Sequence, residues 1–116
     1  ADMATIRNRP IVSRADQDPR TPGLHYFRLA EIPARTQPDG ERMIRFLRSH
    51  GVDATMIPYK NGRSLVIYVL PGYSSPRGAQ AQAFRGRLIE LGQKWKSQGG
   101  ATDWAEMYAP LYRPTD

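Results

Sequence analysis

The chain contains no cysteine, which excludes a disulfide framework, a thiol nucleophile and the thiolate zinc sites together. Histidine is nearly as scarce, with His25 and His50 alone, so an imidazole metal site would need carboxylates from distant parts of the chain; no metal is expected. Long apolar runs are missing as well. The longest, Leu65 to Pro71, falls far short of the ~20 residues of a membrane-spanning helix. No glycine-rich phosphate loop is present, because Asn61-Gly62 is accounted for by a hairpin. Asp53, Glu31 and Glu90 form no carboxylate pair by spacing, and Ser74-Ser75 reads as a helix cap, so neither a catalytic residue nor a cofactor is expected.

What is present describes one small folding domain. A length of 116 residues suits a single core. Hydrophobic residues at 40% and charged residues at 24% are ordinary globular usage, which argues against disorder and fibrous repeats. Seventeen Lys and Arg against eleven Asp and Glu leave a net charge of +6, which raises affinity for polyanions of any kind. Arginine supplies most of that charge and is the better planar partner for carboxylate and phosphate. The opening Ala-Asp-Met-Ala-Thr-Ile-Arg lacks the apolar core of a secretory signal and reads as a cloning scar or fragment boundary, leaving export of a parent protein open.

Three segments follow from the pattern. Residues 1–23, with Pro10, Pro19 and Pro22, read as a lead-in or linker in which Ile6, Ile11 and Val12 can form a short edge strand. Residues 24–98 hold the regular elements. Leu24 to Ile32 is an aromatic-rich first strand stopped by Pro33, and Pro38 to His50 a helix with Met43, Ile44 and Leu47 at helical spacing. Val52 to Ile57 is a second strand, Lys60-Asn61-Gly62-Arg63 a tight hairpin and Leu65 to Leu70 a central third strand. Ser75 caps a second helix that starts at Pro76 and buries Phe84, Leu88, Leu91 and Trp95. Residues 99–116 are a tail with a short helix through Trp104, Met107 and Tyr108. The expected class is α+β: a split βαβ, ferredoxin-like, three- to four-stranded antiparallel or mixed sheet with two helices on one face.

Tyr26-Phe27-Arg28-Leu29, the helix ending Phe46 to Ala54, and Val66-Ile67-Tyr68-Val69 followed by Gly72-Tyr73-Ser74-Ser75 resemble the sporulation-related repeat (SPOR) domain over roughly residues 24–97. The first loop is longer than is usual there, Arg28 replaces a common glutamine, and no fourth strand is evident. The resemblance implies a non-catalytic module that binds peptidoglycan glycan strands on the open face of its sheet, within a larger protein of the bacterial cell envelope or periplasm. It carries that role onto Tyr26, Arg28 and Tyr68.

Alternation along the strands sends Phe27, Leu29, Ala54, Met56, Ile67 and Val69 inward, and Tyr26, Arg28, Thr55, Ile57, Tyr59, Val66 and Tyr68 to the open face. Tyr26, Arg28, Tyr59 and Tyr68 are the candidate glycan-binding residues, since a sugar's apolar ring face suits a tyrosine ring and its polar groups suit phenol and guanidinium donors. In the alternative, a basic cytoplasmic module meets nucleic acid or a protein through Arg77, Arg85, Arg87, Lys94 and Lys96 on the second helix. The exposed edge of the first strand needs a cover. The expected cover is Ile6 to Val12; the tail around Ala101 to Tyr112, or a second copy in a homodimer, are the other two.

Overall fold

The structure, a computed structural model, describes residues 2–114. Lys60, Asn61 and Gly62 adopt φ of 53°, 55° and 81°, the left-handed region that Asn and Gly enter at least cost. They turn β2 (Asp53–Tyr59) back onto β3 (Ser64–Leu70) with Tyr59 opposite Ser64 and Asp53 opposite Leu70. The connection is four residues long, wider than the tight turn expected. On the other side of β3 lies β1 (Arg28–Pro33), also antiparallel, with a register shift between Arg28 and Ala30. The result is a three-stranded antiparallel sheet in the order β1-β3-β2.

Two helices complete the α+β arrangement: α2 (Gln37–Ser49) and α3 (Ala79–Ser97), with a six-residue α1 (Met3–Asn8) ahead of them. Their apolar spacings of three and four bury Met43, Ile44 and Leu47 from α2 and Ala81, Leu88 and Leu91 from α3. These side chains share one cluster with Phe27, Leu29, Ala54, Met56, Ile67 and Val69. Strand alternation alone therefore identified the inward face.

Element starts differ from expectation where local signals compete. Ser75 makes a turn instead of a cap: its hydroxyl accepts from the Arg77 amide and its carbonyl from Gly78, so α3 begins three residues after Pro76 with Gly78 as N-cap. Leu24 to Phe27 is extended but lies outside β1, because His25 exchanges two backbone bonds with Tyr73 (2.7 and 2.8 Å).

Both sheet edges are partly paired by segments that read as lead-in and tail. Asp2 caps α1 by accepting from the Thr5 amide at 2.8 Å, Ile6 is buried, and Arg9 Nε reaches both oxygens of Asp53 at 2.8 and 2.9 Å. The chain then runs beside β2, where the Met56 amide donates to Ile11 and the Ser13 amide to Met56. The Thr55 hydroxyl lies 3.0–3.1 Å from the Pro10 and Ile11 carbonyls and 2.7 Å from Ser13 Oγ; donating to a carbonyl, it accepts from Ser13. Two positions from Met56 on the same edge, Arg48 covers the Ala54 carbonyl and Pro58 offers no N–H. Of the segment Ile6 to Val12, expected to cover β1, Pro10 to Val12 instead bridge β2 at Met56, and Ile6 lies in α1. Asp53 and Thr55, both buried, explain why: each needs a partner, and Arg9 to Ser13 supply it.

The tail pairs with the chain ahead of β1, from Leu24 to Arg28, the first residue of β1. Amides of Arg28 and Tyr26 donate to the Tyr108 and Pro110 carbonyls, and Tyr112 and Leu24 bond in the reverse sense. No helix forms through Trp104 to Tyr108. Trp104 has φ 59° and anchors a turn, fully buried, against Phe46. The tail occupies Leu24 to Arg28, the first part of the edge through which a homodimer was expected; from Leu29 to Pro33 no backbone bond to the tail forms.

Candidate functional site

Alternation places Arg28, Thr55, Ile57, Tyr59, Val66 and Tyr68 on the helix-free face, and the bulge after Arg28 adds Glu31 opposite Val66. Tyr26 was assigned to this face as a binding residue, but it is 3% exposed and its hydroxyl accepts from the Thr21 amide at 2.7 Å. Its role is to hold the lead-in. Thr55 and Val66 are buried as well, beneath the segments that cross the face.

What remains accessible is a cleft of about 540 Å³. Ile57, Val66 and Tyr68 form its floor, and Arg20, Tyr59, Tyr112 and Arg113 its rim. Arg20 fills one part of it. Its guanidinium lies 4.3 Å from the centre of the Tyr68 ring and 4.0 Å from that of Tyr112, and it pairs with Asp18 at 2.8 Å. One cation thereby lies over two aromatic rings. Burial pulls the Asp18 pKa upward, but hydrogen bonds from the Arg20 side chain and amide outweigh it and leave the carboxyl below its ordinary value. Burial likewise opposes the charge on Arg20, and Asp18 with the two tyrosines more than restores it.

A second unit lies beside the first. Arg28 sits 5.9 Å from the Tyr59 ring centre and 5.8 Å from that of Tyr108, donates to the Tyr108 hydroxyl at 3.1 Å and pairs with Glu31 at 2.7 Å. Lys60 shares Glu31 at 3.0 Å. Tyr59 and Tyr108 are 49% and 54% exposed, so these rings, unlike that of Tyr68, are open to a ligand.

The face therefore unites Arg28, Tyr59 and Tyr68 from the expected set, excludes Tyr26, and adds Arg20, Tyr108 and Tyr112. The added three lie in the lead-in and tail, where no periodicity marks them. A Tyr-rich tail in a basic chain was the one available sign.

The basic residues of α3 are not brought together. At about 100° per residue Arg85 and Lys96 fall within about 20° of each other, as do Arg87 and Lys94, but the two pairs are roughly half a turn apart. They flank the buried stripe on opposite sides, and Arg77 precedes the helix. No continuous basic surface results. Among the described residues no group of three or more His, Cys, Asp or Glu could hold a metal ion, and no helix is long and apolar enough to cross a membrane. In comparison with known proteins, no family model, curated protein or solved structure matches the chain.

Proposed function

We propose that the protein is a non-catalytic binding module that takes a glycan strand on the helix-free face of its sheet, peptidoglycan being the polymer the SPOR resemblance implies. The observation that carries this reading is the alternation of tyrosine rings and guanidinium groups across that face, Tyr112-Arg20-Tyr68 beside Tyr108-Arg28-Tyr59. Exposed phenol rings stack on the C–H faces of pyranose sugars, while guanidinium groups meet their hydroxyls and carboxylates. Tyr59 and Tyr108 take the stacking role, because Arg20 already covers the Tyr68 ring.

The order β1-β3-β2, with α2 between the two outer strands, supports reading the sheet as a split βαβ unit of ferredoxin-like type in which the tail replaces a fourth strand. A module of this kind belongs in a bacterial envelope protein that must meet cell wall. Co-sedimentation with purified peptidoglycan, with and without amidase stripping, tests the reading. The Tyr59→Ala/Tyr108→Ala variant, altered only at exposed rings, should lose binding to stripped wall while keeping its melting temperature. Undiminished binding by that variant, or no binding by the unaltered protein, refutes it.

A further inference from the structure

A second cleft, of about 350 Å³, opens at the other end of the sheet, where α2 ends, β2 begins and β3 runs into Pro71. Its volume is at the small end of ligand pockets. Its lining combines apolar Ile6, Leu24, Leu70, Phe84 and the ring of Tyr26 with Arg9, Arg87, Thr21, Gly51 and Asp53.

Both guanidinium groups keep donors in reserve. Arg9 spends its Nε on Asp53, and Arg87 gives one Nη to the His50 carbonyl; neither makes another hydrogen bond among the described residues. Arg9 and Arg87 against the Asp53 carboxylate leave the lining net positive, and Arg48, whose charge interacts with Asp53 and Arg9, adds to that excess. The lining therefore favours an anion. The planar fork of arginine matches a carboxylate.

We propose that this cleft binds a carboxylate carried on a small apolar body, held by Arg9 and Arg87 with the apolar part against Phe84 and Leu70. The same chemistry is offered by a free aryl or alkyl acid and by the terminal carboxylate of a peptide ending in an apolar residue. Titration of the whole chain, followed by backbone amide NMR, uses 3-phenylpropionate for the first source and N-acetylphenylalanine for the second, with 3-phenylpropionamide as the uncharged control.

At least one acid should saturate, with shifts centred on Thr21, Gly51 and Gly72, and bind at least tenfold tighter than the amide; the tighter acid identifies the source. Arg87→Gln, a change at an exposed position, and Arg9→Lys, which keeps the charge facing Asp53 but loses the fork, should each weaken binding about tenfold. Equal affinity for acid and amide overturns the proposal. So does unchanged affinity in both variants, or the absence of saturable shifts for either acid.

Discussion

Two glycines of α3 separate helix propensity from tertiary packing. Gly86 and Gly92 both lie inside the helix, and alanine is worth about 1 kcal/mol more than glycine there. A Cβ on Gly86 would meet nothing within 4 Å, so Gly86→Ala should stabilise by about 0.5–1 kcal/mol. A Cβ on Gly92 would fall inside the van der Waals shell of the Asp103 carbonyl oxygen, 2.7 Å from its carbon and 3.0 Å from the Trp104 ring. The obstacle is backbone, so it cannot rotate away. Either the tail shifts locally, an overpacking cost of about 1–3 kcal/mol, or it leaves the helix and exposes Trp104. An indole burying about 200 Å² at about 25 cal/mol per Å² sets that upper limit near 5 kcal/mol. Offset by about 1 kcal/mol of propensity, Gly92→Ala should destabilise by about 0–2 kcal/mol if the tail shifts and by up to about 4 kcal/mol if it is released, release shifting tryptophan emission to the red. Urea unfolding of both variants reads the signs. Stabilisation by Gly92→Ala, matching Gly86→Ala, would refute the close approach of tail to helix.

Asp18 has a carboxyl pKa below its ordinary value in the folded protein, so its contribution is present above the unfolded value near pH 4 and disappears as pH falls through the lower folded value. The stability difference between the unaltered chain and Asp18→Asn should thus shrink below about pH 4; a difference that persists undiminished at pH 2 contradicts the Arg20 pairing. Asp53→Ala leaves Arg9 without its carboxylate beside a buried position and should cost about 3 kcal/mol, whereas Arg9→Ala/Asp53→Ala should cost less than the sum of the single changes. Additive costs in urea unfolding would mean the two side chains do not interact.

The regular elements were readable because each is written in local periodicity. Inward alternation at Ala54, Met56, Ile67 and Val69 and the stripe Leu88, Leu91 both name core residues directly. The segments around them were not, and for a physical reason. Ile6, Ile11 and Val12 signalled only that something apolar would be covered; which edge they joined depended on buried Asp53 and Thr55, more than forty residues away. Half of the candidate site failed to show for the same reason, since the contact of Arg20 with both Tyr68 and Tyr112 joins residues with no common spacing. Trp104 looked like a helical residue until its backbone turned left-handed to seat the indole.

The tail that pairs with the start of β1 meets it across eighty or more residues of chain: Arg28 bonds Tyr108, and Leu24 bonds Tyr112. The β2–β3 pair, joined by four residues, closes a short loop at small entropic cost, whereas the lead-in latch on β2 spans more than forty residues and the tail latch eighty or more. Folding should then run from the hairpin outward and finish at the latches. Until it finishes, β1 presents unsatisfied amides and carbonyls to its neighbours, which makes chain concentration during refolding, more than temperature, the variable that decides between monomer and strand-paired aggregate.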